Sequence, residues 1–215
     1  MLKNKEIQKQ HKILEKKNII KKFLINRLEQ DGLQEYIEIL KKFNKHTNLV
    51  GKSTLVNPWL SHILDSLQIL KFIKHKKLSI LDMGTGAGLP GLVLSICGCK
   101  NVTLVDSNGK KINFLFNIKR ELGLKTNIIL GRLETLENKH YDVVVTRALA
   151  NLEKLFTYSQ KFIKKNTVLI FLKGKTVNEE ILDAKKKWNF QHKKHTSLSD
   201  SRGCVLVIWG LKKND

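Results

Sequence analysis

Apolar residues along the chain change their spacing once, near residue 78. Ahead of that point they recur at helical intervals. Ile7, Leu14, Ile20, Phe23, Leu24 and Leu28 stand at mixed steps with lysines between them, and Leu33, Tyr36, Ile37, Leu40 and Phe43 form a cleaner stripe. A break between these two helices is expected at Gly32, and residues 44–48 read as a polar turn. After Pro58, the run Trp59, Ile63, Leu64, Leu67, Leu70 and Ile73 predicts a further helix. Beyond Leu78, short β-type runs at 78–82, 101–105, 127–130, 141–146, 167–172 and 204–209 alternate with helical patterns at 89–97, 110–122, 152–163 and 177–188. Pro90 suits the first turn of its helix, where a missing N–H breaks no bond. Apolar strands alternating with helices predict a parallel sheet covered on both faces. The expected architecture is α/β: a Rossmann-like, doubly wound, mainly parallel sheet. It divides into a basic helical or disordered N-terminal extension (1–32), an N-terminal helical subdomain (33–77) and a ligand-binding core (78–215).

Composition changes this picture in one respect, which is charge. The 215 residues suffice for one buried domain with an appendage. Forty Lys and Arg against nineteen Asp and Glu leave a net charge of +21, a field that attracts polyanions such as RNA or DNA. Two other sources remain open, the codon bias of an A/T-rich genome and affinity for anionic lipid. Cys97, Cys99 and Cys204 have no zinc-finger spacing, so no metal site is expected and the thiols are read as reduced. No apolar run reaches the roughly 18 residues of a membrane span, and Met1 to Lys22 lacks the apolar stretch of a secretory signal. A cytoplasmic monomer is expected.

The candidate chemistry centres on Asp82-Met83-Gly84-Thr85-Gly86-Ala87-Gly88. Glycines let a backbone pass close beneath a ligand and adopt positive φ without a Cβ penalty. In doubly wound sheets this loop, at a strand's carboxyl end, is where ligands bind. Asp106 ends the next strand, where a carboxylate accepts the hydroxyls of a ribose. Together they match the D-x-G-x-G-x-G pattern of Rossmann-like methyltransferases and predict S-adenosylmethionine as cofactor. Gly86 to Gly91 also fits the G-x-G-x-x-G dinucleotide fingerprint, so an NAD-dependent oxidoreductase stays open. Against it, a pyrophosphate would meet Asp82 unfavourably. Glu134 follows the third strand, where an adenine contact would fall, or is a solvated helix-start acid. Arg147, at the carboxyl end of the fourth strand, lies over the expected ligand or caps a helix. His62 and Asp65 face RNA or pair with each other.

Several segments together resemble the ribosomal RNA small-subunit methyltransferase G family (RsmG, also called GidB). They are Asn44 to Val50, His62-Ile-Leu-Asp-Ser-Leu67, Leu81 to Gly91 with its GLPG ending, Asp106 to Lys110, Thr146 to Leu152 and Leu172-Lys-Gly174. The resemblance implies donor contacts at Gly84, Leu89, Leu133, Glu134 and Arg147. It further implies N7-methylguanosine in the 530 loop of 16S rRNA, with the rRNA or a precursor of the small subunit as partner. Two departures from the family stand out: Ser61 takes a usually basic position, and the N-terminal thirty-odd residues are longer and richer in lysine.

Guanine N7 carries a free lone pair, so the chemistry requires no general base, and none is assigned. Proximity and in-line orientation supply the acceleration, on the order of 7–11 kcal/mol. The RNA side is expected to involve Asn48, His62, Arg147 and Lys173, with Lys185 to Lys187 and the N-terminal lysines adding non-specific attraction. An RNA-binding protein that keeps the fold without activity is the remaining alternative.

Overall fold

A computed structural model describes residues 2–214, with side chains from Glu6 onward; Met1 and Asp215, the outer ends of the first and last expected regions, lie outside it. The chain opens with helices α1 (Leu2–Lys22) and α2 (Arg27–Phe43). The break between them falls at residues 23–26, not at Gly32. Leu24 turns the chain at φ 51°, and Asn26 and Glu29 close a capping box at the start of α2. Gly32 sits inside α2 for packing: a Cβ there would lie 3.2 Å from Ile96 Cγ2. The predicted third helix is irregular. A π-turn (Trp59–Leu64), one α-turn, α3 (Asp65–Leu67), and a 3-10 stretch (Gln68–Phe72) follow in succession.

The core is β1 (Ser79–Met83), α4 (Gly91–Ile96), β2 (Asn101–Asp106), α5 (Gly109–Glu121), β3 (Asn127–Leu130), β4 (Val143–Arg147), α6 (Leu152–Ser159), β5 (Val168–Lys173), α7 (Val177–Lys185), β6 (Trp188–Thr196) and β7 (Cys204–Lys213). The strands form one sheet in the order β3-β2-β1-β4-β5-β7-β6. The first five run parallel, and β7 lies antiparallel to both β5 and β6. The helix expected to reach residue 188 stops at Lys185. Trp188 instead opens β6, a strand the sequence reading passed over because lysines and histidines obscure its alternation. Its buried Trp188 and Phe190 flank exposed Asn189.

Alternation in the strands divides the core in two. Ile80, Leu104, Val143, Val145 and Ile170 pack against α2, α4 and α5 on one face, with Leu33, Tyr36 and Leu40 of α2 in the same cluster. Leu81, Met83, Val144, Phe171 and Leu206 meet Leu155, Phe156 and Ile181 of α6 and α7 on the other. Strand order reverses between β1 and β4. In open α/β sheets, the crevice outside the strand ends at such a switch point is where ligands bind. Here Gly84 and Ala148 border it. Among the described residues, no helix is long and apolar enough to cross a membrane.

Candidate active site

The loop after β1 is held from below by Asp82. This carboxylate is fully buried; its Oδ2 accepts from Thr85 Oγ1 at 2.5 Å and from the Gly91 amide at 2.8 Å. Among the described residues its Oδ1 has no hydrogen-bond partner. Burial pushes the Asp82 pKa up to about 7. Gly88 must be glycine, since its φ is +88° and a Cβ would lie 2.6 Å from Leu92 Cβ. Gly86 also has positive φ, but its Cβ position faces open space, so nothing there obstructs a ligand. A further brace comes from α2, where the buried Tyr36 hydroxyl donates to the Ala87 carbonyl at 2.9 Å. Sequence reasoning missed this role: Tyr36 is one apolar-stripe position among several, and 51 residues separate it from its acceptor.

Asp106 Oδ2 accepts from the Gly86 amide and Oδ1 from the Asn108 amide, both at 2.9 Å. The carboxylate therefore ties β2 to the glycine loop and borders a cleft of about 520 Å³ with Gly84, Leu133, Glu134 and Leu149. Leu133 is buried and Glu134 exposed on a 3-10 turn (Leu133–Thr135). The Glu134 backbone amide and then the Tyr158 hydroxyl hold its carboxyl below the usual range. A second cleft, about 460 Å³, adjoins at Gly84, Lys111 and Ala148 and includes Gly86, Leu89, His62 and Arg147. Lys111, between the two, carried no sequence signal beyond following Asp106.

Arg147 ends β4 and reaches across to the π-turn. Its Nη1 donates to Ser61 O at 3.2 Å and Asp65 Oδ2 at 3.1 Å, and both Nη atoms lie 3.4 Å from His62 Nδ1. A guanidinium only donates, so Nδ1 accepts and the proton sits on Nε2, which faces Thr54 Oγ1 at 2.9 Å. Burial first, and then the Arg147 charge, push the His62 pKa down to about 4. His62 is therefore a buried neutral imidazole. Asp65 also accepts from Ser199 Oγ at 2.6 Å and Gln68 Nε2 at 3.0 Å, which pins the β6–β7 loop. The His62–Asp65 pair considered from sequence is thus bridged by Arg147.

The remaining expected residues lie further out. Lys173 Nζ is 2.6 Å from Glu180 Oε2 and donates to Ala150 O at 2.8 Å, joining β5 to α6 and α7. Asn48 is exposed beside Leu49, which lines the second cleft. Lys186 and Lys187 are exposed and pair with Asp183 and Glu153. All three cysteines are buried and free.

A parallel sheet closed by an antiparallel β7, with a glycine loop and a strand-end carboxylate at its switch point, defines an S-adenosylmethionine-dependent methyltransferase fold. A SAM-dependent methyltransferase from Aquifex aeolicus shares it with a TM-score of 0.56 at 18% identity, over 73% of this chain and 94% of that one. The family model for rRNA small subunit methyltransferase G matches residues 29–204. The ribosomal RNA small subunit methyltransferase G of Orientia tsutsugamushi (strain Ikeda) is 39% identical over 184 residues, which is 86% of this chain and 92% of the relative. That of Rhodospirillum rubrum is 36% identical over the same shares. The chain belongs to the rRNA small subunit methyltransferase G family.

Proposed function

We propose that this chain methylates N7 of a guanine in the 530 loop of 16S rRNA, acting as a cytoplasmic monomer on the rRNA or on a small-subunit precursor. The observation that carries the donor assignment is the orphaned Asp82 Oδ1 under the glycine loop. A buried acceptor without a partner is costly, and the ammonium of the methionyl group is the complement that suits it. Asp106 suits the ribose hydroxyls, Leu133 and Glu134 the adenine, and Gly84, Gly86 and Leu89 the backbone-lined passage between the two clefts. When bound, S-adenosylmethionine supplies an electrophilic methyl group and a neutral thioether leaving group.

The chain's own task is then to bind, orient and exclude water. Guanine N7 needs no deprotonation, which agrees with a site where His62 is used up in holding Arg147. On the RNA side, Asn48 and Arg147 face the approach. His62 and Lys173 act from within, by fixing Arg147 and the ends of β5 and α6. Parallel calorimetric titrations with S-adenosylmethionine, S-adenosylhomocysteine and NAD test the donor, and nucleoside mass spectrometry of treated small-subunit RNA tests the product. Binding of NAD alone, or a product other than 7-methylguanosine, would overturn the reading.

A further inference from the structure

The chain carries far more positive charge than its transfer site uses, and some of it gathers on a bare stretch of sheet. On the first core face, α2, α4, α5 and the turns at 59–72 cover the strands as far as β5, and β7 and β6 continue beyond them. Val205 and Val207 of β7 belong to that face, whereas Leu206 and Ile208 belong to the other. Alternation therefore puts Trp209 on the side of Val207. Trp59 and Trp188 are buried, but the Trp209 ring is 43% exposed. On β6, His195 pairs with Val205, Lys193 with Val207 and Gln191 with Trp209, so these three side chains share the face. At its upper end the Phe72 and His195 rings lie 4.6 Å apart beside a cleft of about 420 Å³ that Lys71 also lines. Burial first, and then the charges of Lys193 and Lys71, hold the His195 pKa below its ordinary value, so both lysines converge on this ring. Residues 66–78, 184–199 and 201–214 hold no Asp or Glu, and Asp200 is paired with Arg202. Among the described residues, neither Lys71 nor Lys193 has an ion-pair partner.

We infer that this face is a second RNA-docking surface, which holds a single-stranded segment flanking the target nucleotide by a base stacked on Trp209 and by phosphates at Lys71 and Lys193. The inference rests on the RNA-substrate reading above and adds a surface outside the transfer site. Its position fits that task. Cys204 pairs with Lys173 at the carboxyl end of β5 and Ile208 with Leu169 near its start. The face therefore begins beside the transfer site, and Trp209 stands roughly 17 Å further along the strand.

The chemistry selects the occupant. Lysines follow a phosphate backbone, and an exposed indole stacks on any base, so the pair adds affinity without reading sequence. A single strand offers both groups, whereas a duplex offers its phosphates but keeps its base faces stacked. Lysines on an edge strand also guard against pairing with a second copy. That role accounts for Lys193 on β6 and weighs against a second copy as the occupant. It does not account for an exposed indole on β7, which is an interior strand.

Two sets of substitutions separate the contacts, with binding of small-subunit RNA followed across a salt series. Lys71→Gln with Lys193→Gln, both on the surface, should lower the slope of log affinity against log salt by about 1.4, at about 0.7 for each phosphate. Trp209→Leu should keep the slope and lose about fivefold or more in affinity, and Trp209→Phe should recover most of that loss. Calorimetric affinity for S-adenosylmethionine should match the wild type throughout, with the loss appearing in KM for RNA and not in kcat. Wild-type slope and affinity in these variants would overturn the inference. So would a wild-type dimer in sedimentation that Trp209→Leu returns to monomer, since the face would then belong to a second copy. A wild-type protein that binds no small-subunit RNA would instead remove the underlying reading.

Discussion

Replacing Tyr36 with Phe tests whether the N-terminal helices serve the donor loop. The Tyr36 side chain is fully buried, and its hydroxyl is the donor to the Ala87 carbonyl, midway between Gly86 and Gly88. Among the hydrogen bonds of the described residues this carbonyl accepts no other. Phe fills nearly the same volume, so packing stays intact and the cost is that of one buried, unpaired acceptor, about 1–3 kcal/mol. For a chain of this size each kcal/mol shifts Tm by about 2–4 °C, so the expected fall is about 2–12 °C. Part of the loss should appear in the donor complex, because the loop must be held in shape to bind. A share of about 1.4 kcal/mol would weaken S-adenosylmethionine tenfold. Calorimetric melting and titration of the two proteins decide it. If Tm and donor affinity are both unchanged, the Tyr36–Ala87 bond does not brace the loop.

Three further outcomes are expected. Donor affinity of the wild type should strengthen as pH rises through about 7, where Asp82 ionises, and Asp82→Asn should be weaker and insensitive to pH in that range when titrated calorimetrically. His62 has a folded pKa near 4 against an ordinary 6.5, so its unfolded form binds the extra proton between them. Its stabilising contribution is present above 6.5 and is lost as pH falls toward 4, amounting to up to about 3 kcal/mol. Urea unfolding should show that decline in the wild type, and a flatter profile in His62→Gln. Among the glycines, Gly86→Ala meets only the strain of its positive φ, about 1 kcal/mol, and should fold. Gly88→Ala adds the contact at 2.6 Å with Leu92 and should lower Tm by a larger amount in the same melting assay.

Local periodicity carried most of the fold. The apolar runs of β1 to β5 and the stripe of α2 were legible because side-chain alternation and helical period act within a few residues of chain. The glycine loop was legible for the same reason, since Asp82, Gly84, Gly86 and Gly88 are consecutive in the motif and their backbone demands are local. What escaped was set by partners far away in sequence. Gly32 looked like a break because a glycine lowers helix propensity, whereas its place in α2 is decided by the approach of Ile96. β6 was hidden because its identity comes from pairing with β7, not from its own lysine-rich alternation.

The site divides in the same way. The residue types for a nucleoside donor could be read along the chain, yet His62 read as a candidate RNA contact and proved to be a buried imidazole clasped by Arg147 across 85 residues. Lys173, read as an RNA contact, is in the structure an ion pair with Glu180. Burial and long-range hydrogen bonding decide whether a polar side chain faces solvent or the interior, and neither is written in the spacing of one segment. The sequence determined which chemistry was on hand; the packing of the helices and the β6–β7 loop against the strand ends decided where it points.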